Sequence, residues 1–362
     1  MQSIEKLIAV VIPAFNCEKY LREAVESVLK QKEGTFEIVI IDDGSKDGTI
    51  RIADELSKEY ENVFTIHQEN KGLPGARNAG IKFFQKRYNG HMKNCYFAFL
   101  DADDMWTHDF FGKDMYQVLG KDFDIIGFKS AKCNKEATKR EIIGNIKEGE
   151  YRGGNESLGI HKEYSFAACL YNAEFMRQNN ILFENVRYIE DKLFTFKNYY
   201  LANKIIMVDK LMYLYRQNPM SIVHSRTYGI EYYKFIVEGY LEFDNKMKKI
   251  SSDKAERFTV GRDSARLYLL DMIDEHFQQW KRKKTIKEFI CNNYSYLKLL
   301  KECKNDDVLK YRYEYMVKHS IRYILKNRVH GALYFSMRQL RKISIIRKIR
   351  EYTKFKEYIL WS

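Results

Sequence analysis

The sequence predicts an α/β fold: a mostly parallel sheet with helices on both faces, followed by a basic, mainly helical C-terminal region. Two observations carry this. In the N-terminal part, short uncharged apolar runs alternate with segments of helical periodicity, the pattern of strands joined by crossover helices. From about Thr227 onward strand signals fade, and helical spacing rich in Tyr, Phe, Lys and Arg replaces them. A boundary is expected near Arg226, dividing residues 1–226 from residues 227–362.

The elements follow in order. Lys6–Ile12 is an apolar, β-rich run. Glu18–Lys30 has helical spacing through Leu21, Ala24, Val25, Val28 and Leu29. Glu37–Ile41 is a second strand, Ile50–Tyr60 a second helix and Val63–His67 a third strand. Pro74–Gln85 is a third helix, with Pro74 in its first turn, where a missing N–H costs nothing. Tyr96–Leu100 is aromatic and uncharged, a buried strand. Further strands are expected at Phe123–Lys129 and Lys204–Val208, with a helix at Lys192–Tyr200.

Composition narrows the class. Hydrophobic residues make up 45% of the 362 residues, enough for a substantial core. The N-terminus has no basic segment leading a long apolar one, and Leu7–Phe15 is too short to span a bilayer, so neither signal peptide nor transmembrane helix is expected. Six cysteines lie far apart without a C-x-x-C, which suggests reduced thiols in a cytosolic protein. Of the net charge of +13, Lys310–Ser362 carries +11, from 14 Lys/Arg against three acidic residues.

Four loops end the predicted strands. They are Ile12-Pro13-Ala14-Phe15-Asn16, Asp42-Asp43-Gly44-Ser45-Lys46-Asp47-Gly48, the stretch from Glu69 to Asn78, and Asp101-Ala102-Asp103-Asp104. In a parallel sheet all four emerge at one edge, where ligands bind. Three carboxylates within four residues repel one another unless a hard divalent cation with oxygen ligands sits among them. Taken alone, the cluster also reads as a solvated turn with helix-capping Asp residues. No G-x-G-x-x-G or G-x-x-x-x-G-K-[ST] follows a strand, so any diphosphate would be held by a metal and basic side chains.

In this order the motifs IPAFN, IDDGSKDGT, NKGLPGARNAG and FLDADD resemble the family 2 glycosyltransferases of GT-A fold, of the bacterial polysaccharide-biosynthesis type. The resemblance continues through Asn185–Phe194 and Tyr213–Gln217, covers roughly residues 5–226 and leaves the last 136 uncovered. It implies that Asp43, with Asp42 beside it, accepts a hydrogen bond from the nucleotide base. Pro13, Ala14 and Phe15 would flank base or ribose, although Phe15 could equally be core. Arg77 would approach the nucleotide; its alternative is a solvated helix position. Asp101 and Asp103 would hold Mn²⁺ or Mg²⁺ on the diphosphate, with Asp103 the more direct ligand and Asp101 reaching the ribose. Asp104 is left as the cap of a following helix. Asp191 matches the catalytic base, and Glu190 its support or an acceptor contact; the alternative is an acidic pair capping Lys192–Tyr200. Arg216 and His224 resemble a loop that closes over the diphosphate, His224 as a third metal ligand or phosphate contact.

The implied function is an inverting, metal-dependent glycosyltransferase. It would move a sugar from a nucleotide donor, most simply a UDP-sugar, to a hydroxyl of a glycan or lipid-linked acceptor in surface polysaccharide synthesis. The alternatives are a non-catalytic glycan-binding or membrane scaffold subunit, or a nucleotidyltransferase or hydrolase using the same residues. Residues 311–360 place Ile321, Leu325, Leu333, Met337 and Leu340 at helical spacing among Lys and Arg, a pattern suited to an anionic membrane surface. The pattern allows peripheral attachment to the inner face of the cell membrane; its alternatives are a helical subdomain whose basic face is merely solvated, and an oligomer interface. Nucleic acid is not, since no nucleic-acid motif accompanies the charge.

Overall fold

The computed structural model describes residues 6–217, except 109, 135–139, 144–146, 154–164 and 187, together with Gly239. The expected helical region, the boundary near Arg226 and His224 lie outside the described residues.

Four parallel strands form the first half of one sheet. They are β1 (Leu7–Ala14), β2 (Thr35–Asp42), β3 (Val63–His67) and β4 (Cys95–Phe99), in spatial order β3-β2-β1-β4. Between them run α1 (Leu21–Leu29), α2 (Thr49–Glu59) and α3 (Gly72–Arg87). All but the first residue of β1 is buried, as expected of a central strand covered on both faces. Helix α1 buries Leu21, Ala24, Val25 and Val28, one stripe at helical spacing. It starts later than the sequence suggested, because Tyr20 and Leu21 first close a turn on the Cys17 carbonyl.

The order of the strands sets where a ligand can sit. From β1 to β2 to β3 the sheet grows one way, and β4 then returns to the other side of β1. Right-handed crossovers place α1 and α2 on one face and α3 on the other. The reversal opens a crevice at the carboxyl ends of β1 and β4. Helix α3 packs tightly on β1: a Cβ on Gly80 would lie 2.3 Å from Val11 Cγ1.

The second half is mixed. It contains β5 (Met105–Trp106), α4 (Lys113–Leu119), β6 (Ile125–Cys133), β7 (Arg140–Ile143), β8 (Gly149–Tyr151), a 3₁₀ turn at Phe166–Ala168, β9 (Cys169–Asn172), α5 (Ala173–Gln178), α6 (Glu190–Leu201) and β10 (Ile205–Arg216). Strand β9 runs antiparallel between β4 and β6. Strand β10 lies parallel to β6 and antiparallel to β5 and β8. Among the described residues no helix is long and apolar enough to cross a membrane, and Cys17, Cys95, Cys133 and Cys169 are free thiols.

Candidate active site

The carboxyl ends of β1, β2 and β3 are laced together. Asp43 N–H donates to the Ala14 carbonyl (2.9 Å) and Asn16 N–H to Ser45 Oγ (3.0 Å). Asp42 Oδ1 accepts Ser45 N–H, three residues on, at 3.1 Å, and its Oδ2 lies 3.1 Å from His67 Nδ1. Asp43 Oδ1 accepts from Gln68 Nε2 (2.7 Å) and Lys71 N–H (2.8 Å), which ties the second loop to the third. Gly44 has φ +79°, and an added Cβ would meet the Asn70 backbone nitrogen at 3.1 Å, so the turn requires glycine. On this buried floor Phe15 stands 50% exposed; it is not core.

The Asp101–Asp104 loop follows β4 in a tight turn, with Asp104 N–H donating to the Asp101 carbonyl at 2.9 Å. The expected helix cap is corrected here: Asp104 is followed by β5, and its carboxylate is buried. Its Oδ2 accepts from the Tyr213 hydroxyl at 2.5 Å, and its Oδ1 from Arg216 N–H at 2.8 Å. Burial first, then Asp103 and Asp101, push the Asp104 carboxyl well above the usual range, against those two donors. Asp101 and Asp103 thus stand on a turn whose third carboxylate is turned inward.

Arg77, on α3, is buried rather than solvated. Its Nη2 donates to Asp101 Oδ1 at 2.8 Å, and its Nη1 to Glu190 Oε1 at 3.4 Å. The guanidinium lies 4.5 Å from the centre of the Phe166 ring and 5.2 Å from that of Phe183, within cation–π range. Burial opposes its charge, but Asp101 and Glu190 outweigh that and keep it protonated. Asn78, one residue on, holds the Phe183 backbone from both sides, giving Nδ2 to its carbonyl (2.8 Å) and taking its N–H on Oδ1 (2.9 Å).

Glu190 and Asp191 open α6. The residue before them, Ile189, has φ +58°, a left-handed conformation costly for a β-branched side chain. Such strain collects at functional sites. Asp191 Oδ1 accepts Lys192 N–H at 2.8 Å, orienting the carboxylate at the helix start. Burial and the neighbouring Asp191 push the Glu190 carboxyl up to about 7, against the pull of Arg77. Arg216 ends β10 with a buried side chain, giving Nε to the Asp103 carbonyl (2.9 Å) and Nη2 to Glu23 Oε2 (2.7 Å).

The structure therefore brings Arg77, Asp101 and Glu190 into contact, and packs Pro13, Ala14, Asp42 and Asp43 into the adjoining floor. Glu23, Asn78, Phe166, Phe183 and the Tyr213 hydroxyl were missed as site-builders. Only Asn78 and Tyr213 carried any signal, through the motifs around them.

An α/β sheet with a topological switch point, carrying an acidic turn at that point, is an architecture of GT-A type. Residues 9–182 match the family model described as Glycosyl transferase family 2, and this N-terminal domain is a family 2 domain. The chain is 29% identical over 231 residues to the uncharacterized glycosyltransferase EpsJ of Bacillus subtilis, covering 60% of this chain and 62% of EpsJ. It is 36% identical over 110 residues to the putative teichuronic acid biosynthesis glycosyltransferase TuaG of the same species, covering 30% of this chain and 40% of TuaG. The match thus spans about three-fifths of EpsJ and less than half of TuaG. Among solved structures, S. aureus TarS 1-349 shares the fold, with TM-score 0.68, 19% identity and 91% of each chain covered. The same TarS chain has been solved with UDP-GlcNAc.

Proposed function

We propose that the chain is an inverting, metal-dependent glycosyltransferase of cell-surface polysaccharide synthesis. The observation that carries the reading is the pairing of two carboxylate sets across one buried cation. Asp101, with Asp103 two residues on, ends the β4 side, Glu190 and Asp191 open α6, and Arg77 joins them at 2.8 and 3.4 Å.

The donor side is read from the floor and the acidic turn. Phe15 offers an exposed aromatic face to the base, beside the Pro13–Ala14 backbone, with Asp42 and Asp43 below. A UDP-sugar is the proposed donor, in line with TarS having been solved with UDP-GlcNAc. Among the described residues no group of three or more His, Cys, Asp or Glu could hold a metal ion by itself. Two carboxylates completed by substrate phosphates are a usual way to bind Mg²⁺, and the oxygen-only set of Asp101 and Asp103 fits that, or Mn²⁺. Asp101 and Asp103 would hold the cation, which when bound supplies Lewis-acid stabilisation to the diphosphate as it departs. His224 is kept as a proposed further ligand or phosphate contact, and Arg216 as a support of this turn.

The acceptor side is read from α6. As the acceptor hydroxyl oxygen bonds to the anomeric carbon, the bond from that carbon to the diphosphate oxygen breaks and its electron pair leaves with the diphosphate. The hydroxyl proton passes to the Asp191 carboxylate. One displacement inverts the anomeric centre. Glu190, held by Arg77, supports Asp191 and contacts the acceptor. The basic series in residues 311–360 would bring the enzyme to an anionic membrane carrying a lipid-linked acceptor.

Release of nucleotide from UDP-, GDP- and dTDP-sugars, measured with wild type and Asp191→Asn, tests this reading. Asp191→Asn should lower kcat by about 10²–10⁴ while metal-dependent UDP binding persists in calorimetry. Full turnover in that variant would remove Asp191 as the base, and no turnover by wild type on any donor would remove the donor class.

A further inference from the structure

The three aspartates that end β4 are gripped from behind by one strand distant in sequence. β10 reaches each of them differently. The Tyr213 hydroxyl accepts Asp101 N–H at 3.3 Å and donates to Asp104 Oδ2 at 2.5 Å, so one oxygen spans the turn. Arg216 N–H donates to Asp104 Oδ1 at 2.8 Å, and its Nε donates to the Asp103 carbonyl at 2.9 Å. Its guanidinium is itself fixed by Glu23 at 2.7 Å and lies 5.0 Å from the centre of the Tyr20 ring. Tyr213, Asp104 and Arg216 are buried.

This grip is more than a fold needs to close a turn, because the Asp104 N–H bond to the Asp101 carbonyl already does so. A buried carboxylate is costly unless its oxygens are bonded, and here both are. The same bonds fix the backbone of Asp101 and Asp103, and so where their carboxylates start. Groups that orient a metal's direct ligands in this way set its affinity.

We infer that Asp104, Tyr213 and Arg216 are positioning residues that preorganise the Asp101–Asp103 turn for a divalent cation and the donor diphosphate. They act from behind the turn, without touching the substrate. The inference rests on the reading that Asp101 and Asp103 serve the donor diphosphate. It also moves Arg216 away from a direct diphosphate contact.

The test measures UDP binding to the full chain by calorimetry, once with MnCl₂ and once with EDTA. The ratio of the two affinities isolates the cation-dependent part. In Tyr213→Phe, Asp101 N–H and Asp104 Oδ2 each lose a partner while the ring stays. The ratio should fall by about 10- to 100-fold, with affinity in EDTA unchanged. Arg216→Lys keeps the main-chain bond to Asp104 but loses the Nε fork, and should lower the ratio by less. Asp103→Asn should abolish it. A normal ratio in Tyr213→Phe, beside an abolished one in Asp103→Asn, would overturn the inference and leave the donor reading standing. Equal losses with MnCl₂ and EDTA would show general damage and also overturn it. No gain from MnCl₂ in wild type would remove both. Should Tyr213→Phe fail to melt cooperatively, Arg216→Lys decides the matter on the same ratio.

Discussion

Replacing Arg77 with methionine keeps a long apolar stem against Phe166 and Phe183 but removes the cation that Asp101 and Glu190 share. Unit charges 2.8 and 3.4 Å apart attract by about 6 and 5 kcal/mol at an effective dielectric of about 20. Most of that is offset by the cost of stripping water from the guanidinium, since Arg77 is only 2% exposed. Asp101 is 30% exposed, so solvent screens its share. Removing one partner of a buried pair costs about 3–5 kcal/mol, and with this screening we expect about 3 kcal/mol.

The loss should depend on pH in a definite direction. Glu190 titrates at about 7 in the folded chain, against about 4.3 unfolded. A carboxyl raised by folding stabilises the protein at low pH, and that contribution is lost as pH rises from the unfolded value through the folded one. Around pH 5.5 Glu190 holds its proton with or without Arg77, and only the Asp101 pairing is lost. Around pH 8.5 wild-type Glu190 is ionised against Arg77, whereas the variant must retain a proton or bury a bare carboxylate. The gap should therefore widen by about 1.4 kcal/mol for each unit by which the variant's carboxyl rises further. Urea unfolding at the two pH values, followed by far-UV circular dichroism, measures it. Equal destabilisation at both, or less than about 1 kcal/mol at either, would refute the pairing of Arg77 with Glu190.

Two further outcomes are expected alongside the Asp191 and Tyr213 variants. Phe15→Ala should weaken UDP binding by about 10- to 100-fold, the worth of one base–aromatic stack, while leaving stability within about 0.5 kcal/mol, because Phe15 is 50% exposed. Calorimetry and thermal melts on one preparation check both halves. Gly80→Ala should destabilise by about 1–3 kcal/mol through overpacking, since the new methyl meets Val11 Cγ1 at 2.3 Å and Cγ2 at 2.9 Å. Adding Val11→Ala should recover much of the loss in a double-mutant cycle.

The first half of the sheet was legible because its signals are local. Val63–His67 has the bounds the periodicity suggests, and Thr35–Asp42 extends Glu37–Ile41 by two residues at the start and one at the end. β9 was not legible. Phe166 to Tyr171 is a continuous stretch of apolar and aromatic residues in which turn and strand look alike, and the strand Cys169–Asn172 is extended only through pairing with β4 and β6. The site shows the same division. Asp101, Asp103, Glu190 and Asp191 stand in acidic clusters that any reading of the chain meets. Arg77 looks like an ordinary helical arginine until the backbone brings Asp101 from 24 residues away and Glu190 from 113. Asp104 was read as a cap because its partners Tyr213 and Arg216 lie 109 and 112 residues further on.

The antiparallel placement of β9 also orders assembly. β4 and β6 are not neighbours; Phe97 and Ile125 both pair with Tyr171 between them. The β3-β2-β1-β4 half is built from successive short crossovers and can form as soon as those residues exist. The half carrying β6 and β10 can join the sheet only after the chain has reached residue 172 and turned back through its middle. Contacts so distant in sequence are the slow ones. A growing chain thus completes the β3-β2-β1-β4 half long before the strand that seats the rest, and Cys169–Asn172 is the keystone whose arrival makes two half-sheets one.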